Sequence, residues 1–163
     1  VDHQNITIRK ASATDLDAIN QVIEAAVMTW DLPERVKRLS LPSYRYTTLD
    51  LDHFEMVVAE DERRFIIGIA AWEQADARDA PAGYSALLLH GLYVDPAFHH
   101  QGIGRLLFHA AEMFAREHRY DGLLVKAQVD AAGFFISQGM TRLGAEEPSR
   151  QYANRYWKGL HSR

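Results

Sequence analysis

One stretch, Leu87 to Phe114, constrains this chain more than any other. It reads LLLHGLYVDPAFHHQGIGRLLFHAAEMF. Leu87 to Val94 is rich in strand-forming residues, and Asp95-Pro96 ends that run. Ile103, Leu106, Leu107, Ala110, Ala111 and Phe114 then recur at helical spacing, which predicts one buried helix face. Gly102 and Gly104 stand where that helix begins. Glycine leaves the backbone bare, so several N–H groups can approach one anion closely. The helix dipole adds about half a positive elementary charge at the same end. Strand, bare loop and helix start together predict an α/β fold with a seat for a phosphate or pyrophosphate.

Two phosphate loops are excluded by spacing. A P-loop ends in Gly-Lys-Ser/Thr, and here the residues are Gly104-Arg105-Leu106. A dinucleotide loop needs a third glycine where this chain has Leu107. The stretch Leu92-Tyr93-Val94-Asp95-Pro96 followed by Gln101-Gly102-Ile103-Gly104-Arg105 resembles the pyrophosphate loop of the GNAT superfamily of acyl-CoA-dependent N-acyltransferases. The first loop position is His99, where that family usually has Arg or Gln. A second family signature, Asn-x-x-Ala-x-x-Phe-Tyr-x-x-x-Gly-Phe, is similar in spacing to Gln128, Ala131, Phe134, Phe135, Gly139 and Met140. The order of elements also resembles the family's, so the likeness covers essentially the whole chain, read as a single GNAT domain over residues 1–163. It implies a mixed, mostly antiparallel sheet flanked by helices and splayed beside the central strand. It implies acetyl-CoA as co-substrate, held by Leu92, Tyr93, Val94, His99, His100, Gln101, Gly102, Ile103, Gly104, Arg105, Gln128, Ala131, Phe134 and Phe135.

Composition removes other classes. A net charge of −4 argues against a nucleic-acid binder that works by neutralising phosphates. With 0 Cys there is no disulfide framework, thiolate zinc site or cysteine acyl-enzyme. No stretch is long and apolar enough to span a membrane. No basic-then-apolar leader opens the sequence, so a cytoplasmic protein is expected. His99, His100 and His90 predict no metal, because adjacent histidines on an extended segment point apart and no third ligand is spaced to join them. His99 and His100 are expected to flank CoA phosphates instead.

Along the rest of the chain, Ile6 to Arg9 alternates as a first strand. Thr14 to Asp17 resembles a helix N-cap with acidic residues in the first turn. Leu16, Ile19, Ile23, Val27 and Trp30 follow at helical spacing up to Pro33. A short second helix is expected over 34–39, then a loop from Ser40 to Asp52. Glu55–Ala59 and Phe65–Trp72 read as a hairpin, Leu123–Val125 and Met140–Leu143 as strands, and Tyr152–Leu160 as the last strand. In the family the region between first and second helices helps form the acceptor pocket, which marks Trp30, Tyr44 and Tyr46.

The resemblance implies acetyl transfer to an amine by direct attack in a ternary complex. Removing the proton of an amine with a pKa near 10.4 costs about 4.6 kcal/mol at neutral pH. His90 is the candidate base: an imidazole titrates near 6.5, and strict alternation places it on one strand face with Leu88 and Leu92. Serotonin N-acetyltransferases are similar there, with a functional histidine in a His-x-Leu-x-Val run. The family's usual proton donor to the leaving thiolate is a Tyr where this chain has Phe135, which holds no proton to give. Tyr152 and Tyr156 are the candidate substitutes. The same absence leaves open a non-catalytic domain that binds or senses acyl-CoA. The acceptor is not legible in the residues, and a homodimer is an open expectation.

Overall fold

The computed structural model describes residues 5–144 and 154–161. Seven strands form one mixed sheet in the order β1-β2-β3-β4-β5-β7-β6, flanked by helices. The strands are β1 (Thr7–Lys10), β2 (Glu55–Glu60), β3 (Ile66–Gln74), β4 (Ala86–Val94), β5 (Gly122–Lys126), β6 (Thr141–Leu143) and β7 (Arg155–Gly159). The helices are α1 (Leu16–Val27), α2 (Glu34–Tyr44), α3 (Thr48–His53), α4 (Ile103–Glu117) and α5 (Ala132–Ser137). β4 and β5 are parallel, with Ala86 opposite Gly122 and Leu89 opposite Val125, where that register ends. β1 with β2, β5 with β7 and β6 with β7 are antiparallel. The α/β class and the mostly antiparallel sheet agree with the sequence reading.

By compactness the chain divides into two units. One comprises Val1–Ala71 and Gly91–Phe108, the other Trp72–His90 and His109–Arg163. In the first, Ile19, Val22, Ile23 and Val27 of α1 bury against Met56, Val58, Ile69 and Ala71 of the sheet, with Tyr46 in the same core. In the second, Leu124 packs with Ala80 and Ala86. Two cations pin its irregular segments. Arg155, 3% exposed, donates to the carbonyls of Asp79 and Gly144, and Lys126 Nζ lies 2.9 Å from the Asp79 carboxylate.

Three expectations change. The segment from Ser40 to Asp52 is not a loop: α2 runs on to Tyr44 through Pro42, and α3 follows. An Arg38–Glu34 pair at 2.8 Å supports α2, and the Lys37 ammonium donates to the Met28 carbonyl at the end of α1. α3 is started by a capping box. The Thr47 hydroxyl accepts from the Asp50 amide, and the Thr47 amide donates to the Asp50 carboxylate at 2.8 Å. Second, α1 stops at Val27, so Trp30 lies in the turn beyond it. Third, Thr14 does not cap α1 but lies in a 3₁₀ turn, Ala13–Asp15, ahead of it; the Asp15 carboxylate accepts from the Ser12 amide at 2.8 Å and from both Arg9 terminal nitrogens at 2.9 Å.

That pairing gives a pH prediction. The Arg9 hydrogen bonds hold the Asp15 carboxyl at about 2 against burial, which pushes it upward, and the Ser12 amide assists. A carboxyl lowered in the folded state adds stability that is complete above its ordinary value of 3.8 and is lost as pH falls towards 2. Arg9 is 36% exposed, so solvent screens part of the gain. Asp15→Asn is expected to cost about 1–2 kcal/mol at pH 7 in a urea titration. The gap to the parent should narrow as pH falls from 4 to 2; a pH-independent gap would contradict the ion-pair account.

Candidate active site

In the first unit, β4 leads straight into the loop singled out by the sequence. Leu92, Tyr93 and Val94 are half-buried at the end of the strand. The Asp95 amide donates to the Ile67 carbonyl at 2.8 Å, and the Asp95 carboxylate accepts from the Ala97 amide at 3.0 Å. A single 3₁₀ turn, Pro96–Phe98, follows. The backbone then takes left-handed values at His100 (φ 62°) and Gly102 (φ 79°) before α4 begins at Ile103. The Leu106 amide bonds back to the Gly102 carbonyl at 3.1 Å. The N–H groups of Ile103, Gly104 and Arg105 therefore precede the ladder and have no intrahelical carbonyl to reach. No acidic residue lies in the first turn of α4, so the positive end of the dipole is uncompensated there.

The helix start is held tightly. Ile103 and Leu107 are 2% and 0% exposed and press on β3 at Gly68. A Cβ at Gly68 would lie 2.9 Å from Leu107 Cδ1 and 3.1 Å from Ile103 Cγ2, so a larger residue there would force these two side chains to shift. Gln101 and Gly104 are half-buried, and Arg105, His99 and His100 are exposed beside them. The His99 and His100 rings stand 6.2 Å apart at 77°. Among the described residues no group of three His, Asp or Glu side chains converges as a metal centre would need. This donor set, bare N–H groups with basic and neutral side chains, fits a diphosphate.

An aromatic group occupies the same unit. Trp30 and Tyr44, named as pocket residues by the sequence, meet edge to face at 5.1 Å. Tyr46 is 4% exposed and stands edge to face with Phe54 at 5.9 Å. Asn20 of α1 grips the Tyr46 backbone twice, donating to its carbonyl and accepting from its amide, each at 2.9 Å. The Tyr46 hydroxyl reaches β4 at Gly91, where a Cβ would overlap it, and the same Cβ would lie 2.9 Å from the Tyr93 ring. Burial, with the Tyr44 phenol nearby, pushes the Tyr93 phenol above its ordinary pKa, so it stays protonated. Gly91, Asn20 and Tyr93 had no role in the sequence reading of the acceptor region.

In the second unit, His90 is exposed on β4 beside the buried Leu89. Burial alternates along this run, with Leu88 and Leu92 half-buried and His90 exposed between the buried Leu87, Leu89 and Gly91. The Ala75 amide bonds to the Ala86 carbonyl at one end of the β3–β4 pair, and the Asp95 amide bonds to the Ile67 carbonyl at the other. Gln128 is exposed after β5, and its carbonyl accepts from the Ala131 amide at 3.0 Å. Phe134 and Phe135 stack edge to face at 5.2 Å on α5, with Phe135 only 6% exposed. Tyr156 is buried in β7, paired with Val125 of β5. Tyr152 lies outside the described residues.

Residues 52–140, more than half of the chain, match the family model for the acetyltransferase (GNAT) domain. The chain belongs to the GNAT acetyltransferase family. Solved GNAT structures share its fold. The PaiA N-acetyltransferase of Thermoplasma acidophilum, in complex with coenzyme A, is 15% identical with a TM-score of 0.76, over 96% of this chain and 99% of that one. A GCN5-related N-acetyltransferase from Rhodopseudomonas palustris is 18% identical with a TM-score of 0.76, over 98% and 99%. A GNAT family acetyltransferase from Brucella melitensis, in complex with acetyl-CoA, is 19% identical with a TM-score of 0.64, over 98% and 91%. No curated protein matches this GNAT chain in sequence. Among its described residues no helix is long and apolar enough to cross a membrane.

Proposed function

We propose that this GNAT chain is one catalytic domain that transfers the acetyl group of acetyl-CoA to a primary amine of a small molecule or peptide, by direct attack in a ternary complex. The observation that carries the reading is the start of α4: left-handed turns at His100 and Gly102 open onto N–H groups that have no intrahelical partner. The Thermoplasma acidophilum and Brucella melitensis structures, solved with CoA and acetyl-CoA, support it by fold. Backbone amides from Gln101 to Arg105 seat the diphosphate, and Leu92, Tyr93 and Val94 line the arm. Gln128, Ala131, Phe134 and Phe135 are assigned to the same ligand from the second signature. His90 takes the proton from the attacking amine, and Trp30 and Tyr44 contact the acceptor.

Release of free CoA, measured with acetyl-CoA against a panel of amines, tests the function. Turnover with at least one amine is the expected result. One observation favours the second reading, a domain that senses acyl-CoA without transfer: Phe135 is buried where the family places a tyrosine. Tight binding of acetyl-CoA with no turnover across a broad panel would establish that reading instead.

The role of His90 has its own signature. His90→Ala is expected to lower kcat about 100-fold near pH 7. The loss should shrink at high pH, where free amine is abundant and a base is less needed. An equal loss at every pH would rule out proton removal as the task of His90.

A further inference from the structure

In the first unit, the C-terminal end of β1 and the helix α3 border a cavity of about 330 Å³. Its inner wall is apolar. Met56 and Ala11 are 1% and 7% exposed, and Leu51 and Phe54 are half-buried beside them. Its rim carries both signs of charge, with Lys10 at the end of β1 and Asp52 on α3. Among the described residues neither Lys10 nor Asp52 is in an ion pair, although both line the same space. We infer that this cavity binds a free amino acid with an apolar side chain.

The donor set selects that class. A ligand of one charge would pair with one rim group and meet the other as a like charge. A zwitterion answers both, its carboxylate on the Lys10 ammonium and its ammonium on the Asp52 carboxylate, as charge-assisted hydrogen bonds. The wall of Met56, Ala11, Leu51 and Phe54 then takes an apolar side chain out of water. The volume stands at the low end for small-molecule sites, which run from about 300 to 1,000 Å³, and so suits a ligand of amino-acid size. The place is remote from the proposed diphosphate seat. β1 sets Thr7 opposite Glu60 and Lys10 opposite Val57. After Glu60 the chain turns, with the Asp61 amide on the Phe65 carbonyl, and close by the Ile67 carbonyl accepts from the Asp95 amide. The loop before α4 is therefore at the Thr7 end of these strands, and the cavity is at the Lys10 end. β1 and β4 are also three places apart in the sheet, about 14 Å at ordinary strand spacing. The cavity shares no residue with that seat, nor with Trp30 and Tyr44, so amino-acid binding here does not depend on the acetyl-CoA reading.

The test titrates the full chain calorimetrically with L-leucine, isocaproate and isoamylamine. The second probe is leucine without its ammonium, and the third is leucine without its carboxylate. Leucine should bind, and each analogue should bind about tenfold more weakly or worse. Lys10→Met should weaken leucine about tenfold and leave isoamylamine unchanged, because that probe has no carboxylate to lose a partner. Asp52→Asn should weaken leucine to a similar degree and leave isocaproate unchanged. Both residues are exposed, so neither change disturbs the core. Methionine methyl signals locate the site. Of the 4 methionines, Met56 lines the cavity. In a chain labelled at the methionine methyl carbons, leucine should shift the Met56 resonance and leave those of Met28, Met113 and Met140 in place. No binding of leucine by the parent, or equal binding of all three probes, would overturn the inference. So would an unmoved Met56 signal, or a leucine affinity that survives both substitutions.

Discussion

Gly104→Glu is expected to abolish CoA binding while leaving the fold intact. The substitution sets a carboxylate in the first turn of α4, where the proposed diphosphate would sit. Two negative groups would then compete for the same few N–H donors. A loss of at least 100-fold in affinity, about 2.7 kcal/mol, is expected. The same carboxylate suits the helix itself. Gly104 is the second residue of α4, glycine is a poor helix former, and an acidic side chain near the N-terminus complements the dipole. The melting temperature should therefore hold or rise slightly while binding disappears. Calorimetric titration with CoA beside a thermal melt separates the two. Unchanged affinity would remove the diphosphate from the start of α4, and lost affinity with a collapsed melt would point to misfolding.

The largest stability effect is expected at Gly122. Gly122 opens β5 and pairs with both Ala86 of β4 and Gly159 of β7, so its backbone is fixed on two sides. A Cβ there would lie 2.5 Å from two carbons of the Trp157 ring and 2.6 Å from the Lys158 carbonyl oxygen. The indole is half-buried and could swing aside, but the carbonyl belongs to the neighbouring strand and can move only with it. Gly122→Ala is thus expected to cost about 3 kcal/mol, at the upper end for one added carbon. Urea unfolding would show it as a lower midpoint with an unchanged slope. A loss below about 0.5 kcal/mol would mean the strand pair relaxes more easily than its hydrogen bonding allows.

The element pattern was legible wherever period and punctuation agreed. β4, α4 and the break between them follow from the apolar run, Asp95-Pro96 and the helical spacing after Gly102. α5 ends at Ser137, two residues before Gly139, whose φ of 91° is the left-handed conformation that closes a helix. α3 was missed although a signal was present, since Thr47 and Asp50 have the spacing of a capping box. Apolar period hid it, because a helix of six residues has barely one face and none of its residues is buried. Trp30 continued the period of α1 through the turn, where no glycine or proline marked the stop at Val27.

The sequence by itself determined the strand–loop–helix turn at Gly102 and the family, because both live in short-range preferences: φ freedom at glycine, the stop at proline and the period of a buried helix face. Only the tertiary structure decided which phenol approaches β4. Tyr46 and Gly91 are distant in sequence, and neither residue type announces the other. Their meeting depends on Asn20 fixing the chain after α2 and on the volume left by one missing Cβ, quantities that exist only once the core has packed.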